Sequence, residues 1–504
     1  MATVVSPPLG VAYLAAAVRA EGHDVQVVDA VGEALDAQHA TGDPRFVGVG
    51  LSPEQVVERV PADADVVGVS CSFSHDWPHD RTTIEALRRR CPTALVVVGG
   101  EHVTAVPEEV LGDCAAVDVA VLGEGEETLA EVVALHDRRE DLRQVPGTVH
   151  RDPHRPGRFV HAPPRQRIRA VDELPRPAWD LVPLGAYLDR GFGIGIDRRR
   201  SLPVMATRGC PYRCTFCSSP SMWTTRYAAR TPGSVLDEVR DAIVEHDVEN
   251  VDFYDLTMII RRSWIVEFCQ LVLDSGLDFT WQLPSGTRSE AIDGEVCRLL
   301  HAAGCRNLTY APESGSPRVL DRIQKRVDLD HLTHAVRTAS SEGIACTANI
   351  IVGFPGETRR DMARTLRFVA SLARTGLETC TVAPFSPYPG SQLFAELRAE
   401  GRIGALDDQY YLGLSYSDVS RAASWTDHAG PRELQAWRLA TLLAFYGLAY
   451  ATHPRRIVRT WRAVVRGGPQ RSRLEQALHD FWRRRPGTRQ PTMPDDRVAP
   501  TAPG

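Results

Sequence analysis

Short apolar runs alternate with amphipathic stretches along residues 1–135. Apolar runs bounded by Gly, Asp and Ser are typical of buried strands, whereas apolar residues spaced three and four positions apart are typical of helices. The alternation predicts an α/β fold with a doubly wound parallel sheet, whose ligands bind at the carboxyl ends of the strands. The predicted strands are 24–28, 66–69, 94–98 and 117–122, and the predicted helices are 9–20, 82–90 and one that begins at residue 128.

A second series of strands and helices follows between residues 196 and 395. Six βα units are too few for the closed eight-fold barrel, so this region predicts a partial (β/α)6 barrel with its chemistry at the strand carboxyl ends. The predicted strands are 203–206, 250–254, 279–283, 307–310, 348–352 and 378–384, with helices at 234–245 and 330–342 among those between them.

The remaining segments differ in composition. Residues 146–195 are rich in Arg, Pro and Gly and predict a linker with a β-hairpin at 148–160, after an N-terminal domain of residues 1–145. Residues 396–485 predict a mostly helical region, and the Pro-rich residues 486–504 predict a disordered tail. A helix at 433–451 is followed by basic residues around Trp461, which favours either a helical cap on the barrel or a surface for an anionic or lipid-like molecule. These basic residues are Arg455, Arg456, Arg459, Arg462 and Arg466.

Composition narrows the expected partners and cellular location of the protein. The 504-residue chain has a net charge of −6, which gives no general attraction to nucleic acid or membrane, so no nucleic-acid partner is expected. Apolar runs are too short for a transmembrane segment, and the start lacks the basic region of a signal peptide. The first strand looks short, so a few residues are expected to be missing before Met1. The 11 cysteines are an odd number and mostly scattered, which is typical of the reducing cytoplasm.

Three cysteines stand close together in the second region: Cys210, Cys214 and Cys217, in a C-x3-C-x2-C spacing. A structural zinc site needs four ligands, and an ordinary iron–sulfur cluster needs four cysteines. The next cysteine, Cys269, is distant, and no histidine follows at the usual spacing. Three thiolates on one loop therefore predict a [4Fe–4S] cluster with one open iron, with a zinc knuckle or a chance grouping as the alternatives.

This loop, with an aromatic residue before its last cysteine, resembles that of the radical S-adenosylmethionine (SAM) enzymes. The resemblance implies that the open iron binds the amino and carboxylate groups of SAM, and that an external flavodoxin- or ferredoxin-type donor supplies one electron to cleave SAM to a 5′-deoxyadenosyl radical. Carboxylates can bind the SAM ammonium or ribose, and glycines allow a close approach to adenine. For some of these positions a structural role stays open, such as a barrel salt bridge for Glu313. The positions that match SAM-binding positions of the family are Phe216, Asp255, Arg288, Glu313, Ser314, Gly353 and Pro384.

The N-terminal third resembles the cobalamin-binding domain that precedes many radical SAM enzymes. The matching pieces are residues 8–14, 22–25, 98–102 and 123–128. The resemblance implies that strand-end loops hold the corrinoid, largely through backbone groups; a generic Rossmann-like or flavodoxin-like domain is the alternative. The implied cobalamin-binding residues are Ser70, Ser72, Gly99, Gly100, Glu101, Gly123, Glu124, Gly125, Glu126 and Thr128.

One further string, Asp152-x-His154-x-x-Gly157, matches a motif whose histidine ligates cobalt in some cobalamin proteins. In those proteins the motif follows the first strand of the domain. Here it follows the last one and falls within the predicted hairpin, so we interpret it as a coincidence. We expect cobalamin with no protein histidine on cobalt.

Taken together, the chain resembles the cobalamin-dependent radical SAM enzymes of the class B methylase type. The resemblance implies methylation of an unactivated carbon in a small-molecule or lipid-like biosynthetic intermediate. Three alternatives remain: a cyclase, oxidase or rearrangement enzyme with the same cofactors, a methylthiotransferase, and a non-catalytic metal-binding scaffold. A methylthiotransferase needs a second cysteine trio, and Cys71, Cys91 and Cys114 are not expected to converge.

Overall fold

The computed structural model describes residues 5–196, 199–415 and 423–466, together with residues 472, 474, 475 and 478. Residues 1–4 and the predicted disordered tail at 486–504 therefore lie outside the described residues. Among the described helices, none has the length and apolar character needed to cross a membrane.

The N-terminal body contains one hairpin and one five-stranded sheet with helices around it. Its strands are β1 (Gln38–Ala40), β2 (Val47–Val49), β3 (Val66–Ser70), β4 (Leu95–Gly99), β5 (Val119–Val121), β6 (Thr148–Arg151) and β7 (Phe159–His161). Its helices are α1 (Leu9–Ala20), α2 (Pro53–Arg59), α3 (Trp77–Arg90), α4 (Glu101–Ala105), α5 (Pro107–Asp113) and α6 (Glu126–Asp137). Strands β3, β4 and β5 are parallel, whereas β6 and β7 continue the sheet in antiparallel fashion.

Two details of this sheet differ from the sequence-based expectation. Residues 24–28 form no strand, because Val25 and Val27 pack against the alanine face of α1 without pairing to the sheet. The hairpin β6–β7 belongs to the N-terminal sheet, since β6 pairs with β5 and buries Val149 completely. The N-terminal body therefore extends through His161, beyond the predicted boundary at residue 145.

The central body is the expected open barrel. A short helix, α7 (Leu184–Arg190), precedes it. Its strands are β8 (Ser201–Val204), β11 (Asn250–Phe253), β12 (Thr280–Thr287), β13 (Cys305–Glu313), β14 (Ala345–Val352) and β15 (Thr379–Pro384), with the small pair β9 (Thr207–Arg208) and β10 (Ala228–Ala229). Its helices are α8 (Ser219–Trp223), α9 (Pro232–His246), α10 (Arg262–Ser275), α11 (Gly294–Ala302), α12 (Pro317–Arg322), α13 (Leu329–Ser341) and α14 (Arg359–Leu372). The six main strands are parallel and lie in sequence order, so one edge of the sheet stays open at β15.

A buried polar group lies between the first strands of the barrel. The carboxylate of Asp252 accepts hydrogen bonds from the amide of Gln282 at 2.6 Å, from Asn250 at 3.1 Å and from the backbone N–H of Gly195 at 3.0 Å. Burial raises the pKa of Asp252, and these hydrogen bonds oppose that shift. The contacts tie the segment before β8 to β11 and β12.

The C-terminal helices cover the open edge of the barrel. They are α15 (Gln392–Ala399), α16 (Asp408–Gly413), α17 (Pro431–Thr452) and α18 (Arg455–Arg466). Arg438 on α17 donates to the carbonyl of Val382 at 2.6 Å, and Arg456 on α18 donates to the carbonyl of Leu377 at 2.7 Å. Arg459 pairs with Glu378, so Arg438, Arg456 and Arg459 bind the barrel, whereas Arg455 and Arg462 are exposed. The contacts favour the helical-cap interpretation of this region and protect an exposed sheet edge.

We predict that Gly195→Ala destabilises the protein by about 1–3 kcal/mol, because the new methyl group would collide with the buried amide of Gln282. The measurement is the urea-unfolding midpoint. Gly185→Ala is the matched control: it lies in α7 with open space around it, and we expect a change of about 1 kcal/mol or less in the stabilising direction. Equal midpoints for the two variants would contradict the prediction.

Candidate functional site

The cysteine loop is folded tightly at the carboxyl end of the barrel. Gly209 adopts a positive φ of 81°, and a side chain there would collide with the carbonyl of Arg226. The N–H of Cys217 donates to the carbonyl of Cys214 at 3.1 Å, and the N–H of Thr215 donates to the carbonyl of Ile323 at 3.0 Å. All three cysteines of the loop are free, partly exposed thiols.

Positive charge lies beside these thiols. Burial raises the pKa of Cys217 to about 12 and also raises the pKa of Cys214, whereas the neighbouring ammonium of Lys325 lowers both. Thiolates are the form that binds iron, so a loaded site needs such compensating charge. Among the described residues, no three His, Cys, Asp or Glu side chains gather as they would around a single metal ion.

Lys325 and Glu313 form a buried ion pair next to the loop. The Lys325 Nζ atom lies 3.1 Å from Glu313 Oε1 and 6.0 Å from the centre of the Phe216 ring. Burial alone would lower the pKa of Lys325, but the Glu313 carboxylate raises it, so the ammonium is retained. Glu313 also has a positive φ of 65°, which costs about 1–3 kcal/mol and is typical of functional sites.

Arg288 supports the same loop from the third strand. Its guanidinium carbon lies 3.9 Å from the ring centre of Tyr212, within the cysteine loop. Its Nη2 donates to Glu290 at 2.7 Å and to the carbonyl of Arg326. The Nε atom is buried and has no partner, so one donor of Arg288 stays available for a ligand.

The side chains of Asp255 and Ser314 already accept hydrogen bonds from other residues of the protein. Asp255 accepts from the N–H of Ala206 at 3.2 Å and from the hydroxyl of Thr207, and burial raises its pKa to about 6. Ser314 lies 3.1 Å from the hydroxyl of Thr365 and accepts from the backbone N–H of residue 316. Both side chains support the loops of the site, and their contact with SAM stays a prediction.

Gly353 and Pro384 mark the ends of the last two strands. Gly353 has a φ of 86°, and a side chain there would lie 2.8 Å from Leu434 of α17. Its N–H donates to Glu357 Oε2 at 2.5 Å, while Glu357 Oε1 is buried without a partner. Pro384 lines a cavity of about 130 Å³ that Tyr410 also lines. The ring of Phe216 packs against the aromatic residue that follows Gly353, so the predicted positions lie around the same end of the barrel.

The strand ends of the N-terminal sheet present small, open surfaces. Ser70 and Ser72 are exposed with their hydroxyls 3.4 Å apart, and Phe73 is 57 % exposed beside them. Gly99 ends β4, and Gly100 has a φ of 117°, where a side chain would lie 2.6 Å from the carbonyl of residue 71. Such an edge suits a flat macrocycle that approaches the backbone.

The side chains of the loop at residues 123–128 are engaged in contacts within the protein. Gly123 has a φ of 69°, while Gly125 precedes the first residue of α6. Glu124 and Glu126 form ion pairs with arginines, and the side chain of Thr128 is fully buried. Any contact of this loop with cobalamin would therefore come from its backbone.

Glu101 brings the two bodies together. Its carboxylate accepts a hydrogen bond from the hydroxyl of Ser218, the residue after Cys217, and burial raises its pKa. One turn along α4, the Thr104 hydroxyl donates to the sulfur of Met222 at 3.4 Å. The strand-end edge of the N-terminal sheet thus faces the cysteine loop.

The histidines of the N-terminal body lie in different settings. His154 lies in the exposed turn of the β6–β7 hairpin. His102 is buried between Trp77 and Tyr411, with its Nδ1 atom 3.0 Å from the Ser74 hydroxyl. Burial lowers the pKa of His102 to about 4, so its ring is neutral at pH 7.

Sequence reasoning missed two residues of the site. Lys325 is the only lysine in a chain with 58 Lys and Arg residues, and this rarity was the available signal. Arg208 stands two positions before Cys210, but nothing in the sequence indicates that its side chain reaches Glu124 and Glu126.

Known protein families match both bodies. A family described as the B12 binding domain matches residues 2–133, and the Radical SAM superfamily matches residues 204–369. The chain is 30 % identical over 389 residues to the uncharacterized methyltransferase PH0819 of Pyrococcus horikoshii. The aligned residues cover 77 % of this chain and 78 % of that protein. The chain is also 29 % identical over 397 residues to the anaerobic magnesium-protoporphyrin IX monomethyl ester cyclase of Rubrivivax gelatinosus. These aligned residues cover 78 % of this chain and 66 % of that protein.

A solved structure shares the fold over nearly the whole chain. The radical SAM methyltransferase TsrM of Kitasatospora setae, with cobalamin and a [4Fe–4S] cluster bound, matches with a TM-score of 0.68 at 16 % identity, over 95 % of this chain and 97 % of that chain. The chain belongs to the cobalamin-dependent radical SAM enzymes. Its cofactors are a [4Fe–4S] cluster, SAM and cobalamin, which confirms the expected fold class and cofactor set.

We predict that Glu357→Gln flattens the pH dependence of stability between pH 5 and pH 8. Burial raises the pKa of Glu357 from about 4.5 to about 7. The unfolded chain releases this proton at a lower pH than the folded one, so the free energy of unfolding falls as pH rises through that interval. Urea unfolding at pH 5 and pH 8 measures the difference.

Asp361→Asn is the control for this experiment. Burial acts to raise the pKa of Asp361, but hydrogen bonds from Arg318, Thr358 and Ser316 outweigh it and lower the pKa. The stability that this carboxylate contributes is lost only as pH falls into the acidic range. The variant should leave most of the difference between pH 5 and pH 8 in place, because burial is the largest cause of the raised pKa of Glu357 and the Asp361 charge is a smaller one. A Glu357→Gln protein with the parent's pH dependence would show an ordinary pKa for Glu357.

Proposed function

We propose that this protein is a C-methyltransferase that acts on an unactivated carbon of a small-molecule or lipid-like biosynthetic intermediate. When bound, the cluster and SAM supply a radical that removes a hydrogen atom, and cobalamin supplies the methyl group. The contact of Glu101 with Ser218 carries the proposal, because it holds the corrinoid-binding edge against the cysteine loop. The names of PH0819 and TsrM, both methyltransferases, support the same activity.

In this proposal the protein recognises the two charged ends of SAM separately. Cys210, Cys214 and Cys217 hold the cluster. While the open iron takes the amino and carboxylate groups of SAM, the Glu313 carboxylate would accept a hydrogen bond from that amino group, and the Lys325 ammonium would donate one to that carboxylate. The two side chains are only 11 % and 8 % exposed and lie 3.1 Å apart, so the ligand would replace their mutual contact with two charge-assisted hydrogen bonds.

Other residues enclose the proposed SAM site and exclude water from it. Phe216 packs edge-on against Phe354 with ring centres 5.6 Å apart, and Phe354 lies 5.2 Å from Phe385. These rings exclude water from the side of the cluster loop, where a reactive radical must be shielded. Asp255 orients the chain that enters the loop through Ala206.

We predict that Lys325→Met weakens SAM binding roughly 10- to 150-fold, the loss expected for one hydrogen bond between charged groups. Equilibrium dialysis of the anaerobically reconstituted enzyme measures the affinity, and the iron content checks the cluster. Arg326→Met, which removes an exposed cation at the next position, is the matched control and should bind SAM as the parent does. Unchanged affinity in Lys325→Met with a full cluster would remove Lys325 from the SAM site.

The activity itself is tested by anaerobic turnover with methyl-labelled SAM and candidate intermediates. Transfer of the label into product is the expected outcome. Formation of 5′-deoxyadenosine together with an altered, unlabelled product would favour a cyclase, oxidase or rearrangement enzyme instead. The 29 % identity to a magnesium-protoporphyrin ester cyclase supports this second candidate function.

Two lesser questions are settled by simple measurements. A methylthiotransferase would carry a second cluster and about eight iron atoms per chain rather than about four. Cys91, one of the three cysteines considered for a second cluster, donates instead to the carbonyl of Pro61 at 3.2 Å. We also propose an external flavodoxin- or ferredoxin-type reductant, which reduction assays with such proteins would identify.

A further inference from the structure

Four buried charged side chains join the corrinoid-binding loop to the strand that enters the cysteine loop. Arg208 donates to Glu126 at 2.6 Å and to Glu124 at 3.2 Å. Arg167, from the segment between the two bodies, donates to the other oxygen of Glu124 at 2.5 Å. All four side chains are less than a tenth exposed, and their charges sum to zero.

Aromatic rings and backbone groups complete this cluster. The guanidinium of Arg208 lies 5.2 Å from the ring centre of Tyr13 on α1 and 6.0 Å from that of Trp223 on α8. Arg167 donates to the carbonyl of Trp223, and the N–H of Ile168 donates to Glu124 at 2.9 Å. Segments from the N-terminal body, the linker and the barrel therefore meet at one point.

Such a cluster fixes geometry more than it adds stability. Buried ion pairs often contribute no more than apolar packing would, but removing one partner leaves an uncompensated charge. The planar guanidinium also demands particular positions for its acceptors. A shift of either loop would break these bonds, so Gly123–Glu126 and the start of the cysteine loop are held at one separation.

We propose that Arg208 is a positioning residue that sets the distance between the corrinoid and the iron–sulfur cluster. It stands two residues before Cys210, while its acceptors stand in the loop that the sequence assigns to cobalamin. A methyl donor and a hydrogen-abstracting radical must reach the same carbon, so their separation has to be fixed. The proposal requires only that both cofactors bind, whichever reaction follows.

The test compares the parent holoenzyme with Arg208→Gln, each reconstituted anaerobically with iron, sulfide and aquacobalamin. In partly reduced samples, electron paramagnetic resonance measures the spin–spin interaction between cob(II)alamin and the reduced cluster. We expect one well-defined interaction in the parent and a broadened or lost interaction in the variant, with iron and cobalamin contents unchanged. An unchanged interaction at full cofactor content would overturn the proposal.

Two further variants keep the test decisive if Arg208→Gln does not fold. Glu126→Gln leaves Arg208 paired with Glu124 and should broaden the interaction less. Arg208→Lys keeps the charge, but an ammonium cannot bridge two carboxylates in the same plane. Its spin–spin interaction should therefore be less well defined than that of the parent and better defined than that of Arg208→Gln. Parent-like spectra from both would overturn the proposal.

Arg165→Gln is the matched control. Arg165 also follows the N-terminal sheet and pairs with Glu131, and it lies 3.6 Å from Glu127, but these partners are on α6 and not on the barrel. We expect the parent's spin–spin interaction in this variant. Product assays remain separate, because absent methyl transfer in the parent would count against the proposed function while the distance measurement still stood.

Discussion

The buried pairing of Arg208 with Glu124 and Glu126 is the constraint on which the arrangement of the two bodies depends. Apolar contacts also cross between the bodies: Tyr13 packs into the barrel core, and Phe354 packs with the core of the N-terminal sheet. Apolar contact is non-directional, so it holds surfaces together without fixing their angle. Paired charges in a dry site supply the missing direction, because each orientation other than the native one leaves a charge unpaired.

The site combines rigidity at its edges with charge at its centre. Glycines with positive φ and tight hydrogen bonds fix the loops, whereas Lys325, Glu313 and Arg288 retain buried polar groups next to the thiols. Keeping such groups away from water is costly unless they serve a ligand or one another. The strained backbone of Glu313 belongs to the same pattern, since it holds a carboxylate where an ordinary residue would relax.

The sequence predicted periodic features better than tertiary partners. Helix α1 begins and ends where its apolar spacing indicates, and all six barrel strands form close to their apolar runs. The β6–β7 hairpin was assigned to the linker because an alternating pattern does not reveal which sheet it joins.

Side-chain directions in loops were the hardest to predict. Glu124 and Glu126 belong to a loop that the family resemblance assigns to cobalamin, and their carboxylates turn inward because Arg167 and Arg208 arrive from elsewhere in the chain. Lys325 was missed for the same reason, since its place beside Cys214 arises only when α12 folds against the cysteine loop.

Helix α17 closes the barrel without being part of its strand-and-helix series. Leu434 lies next to Gly353, and Arg438 binds the outer strand, so one helix forms a wall beside the strand ends that are proposed to hold SAM. A wall supplied by a separate appendage can diverge independently of the parts that generate the radical. Substitutions in α17 can therefore reshape this wall without altering the strands that carry the cysteine loop.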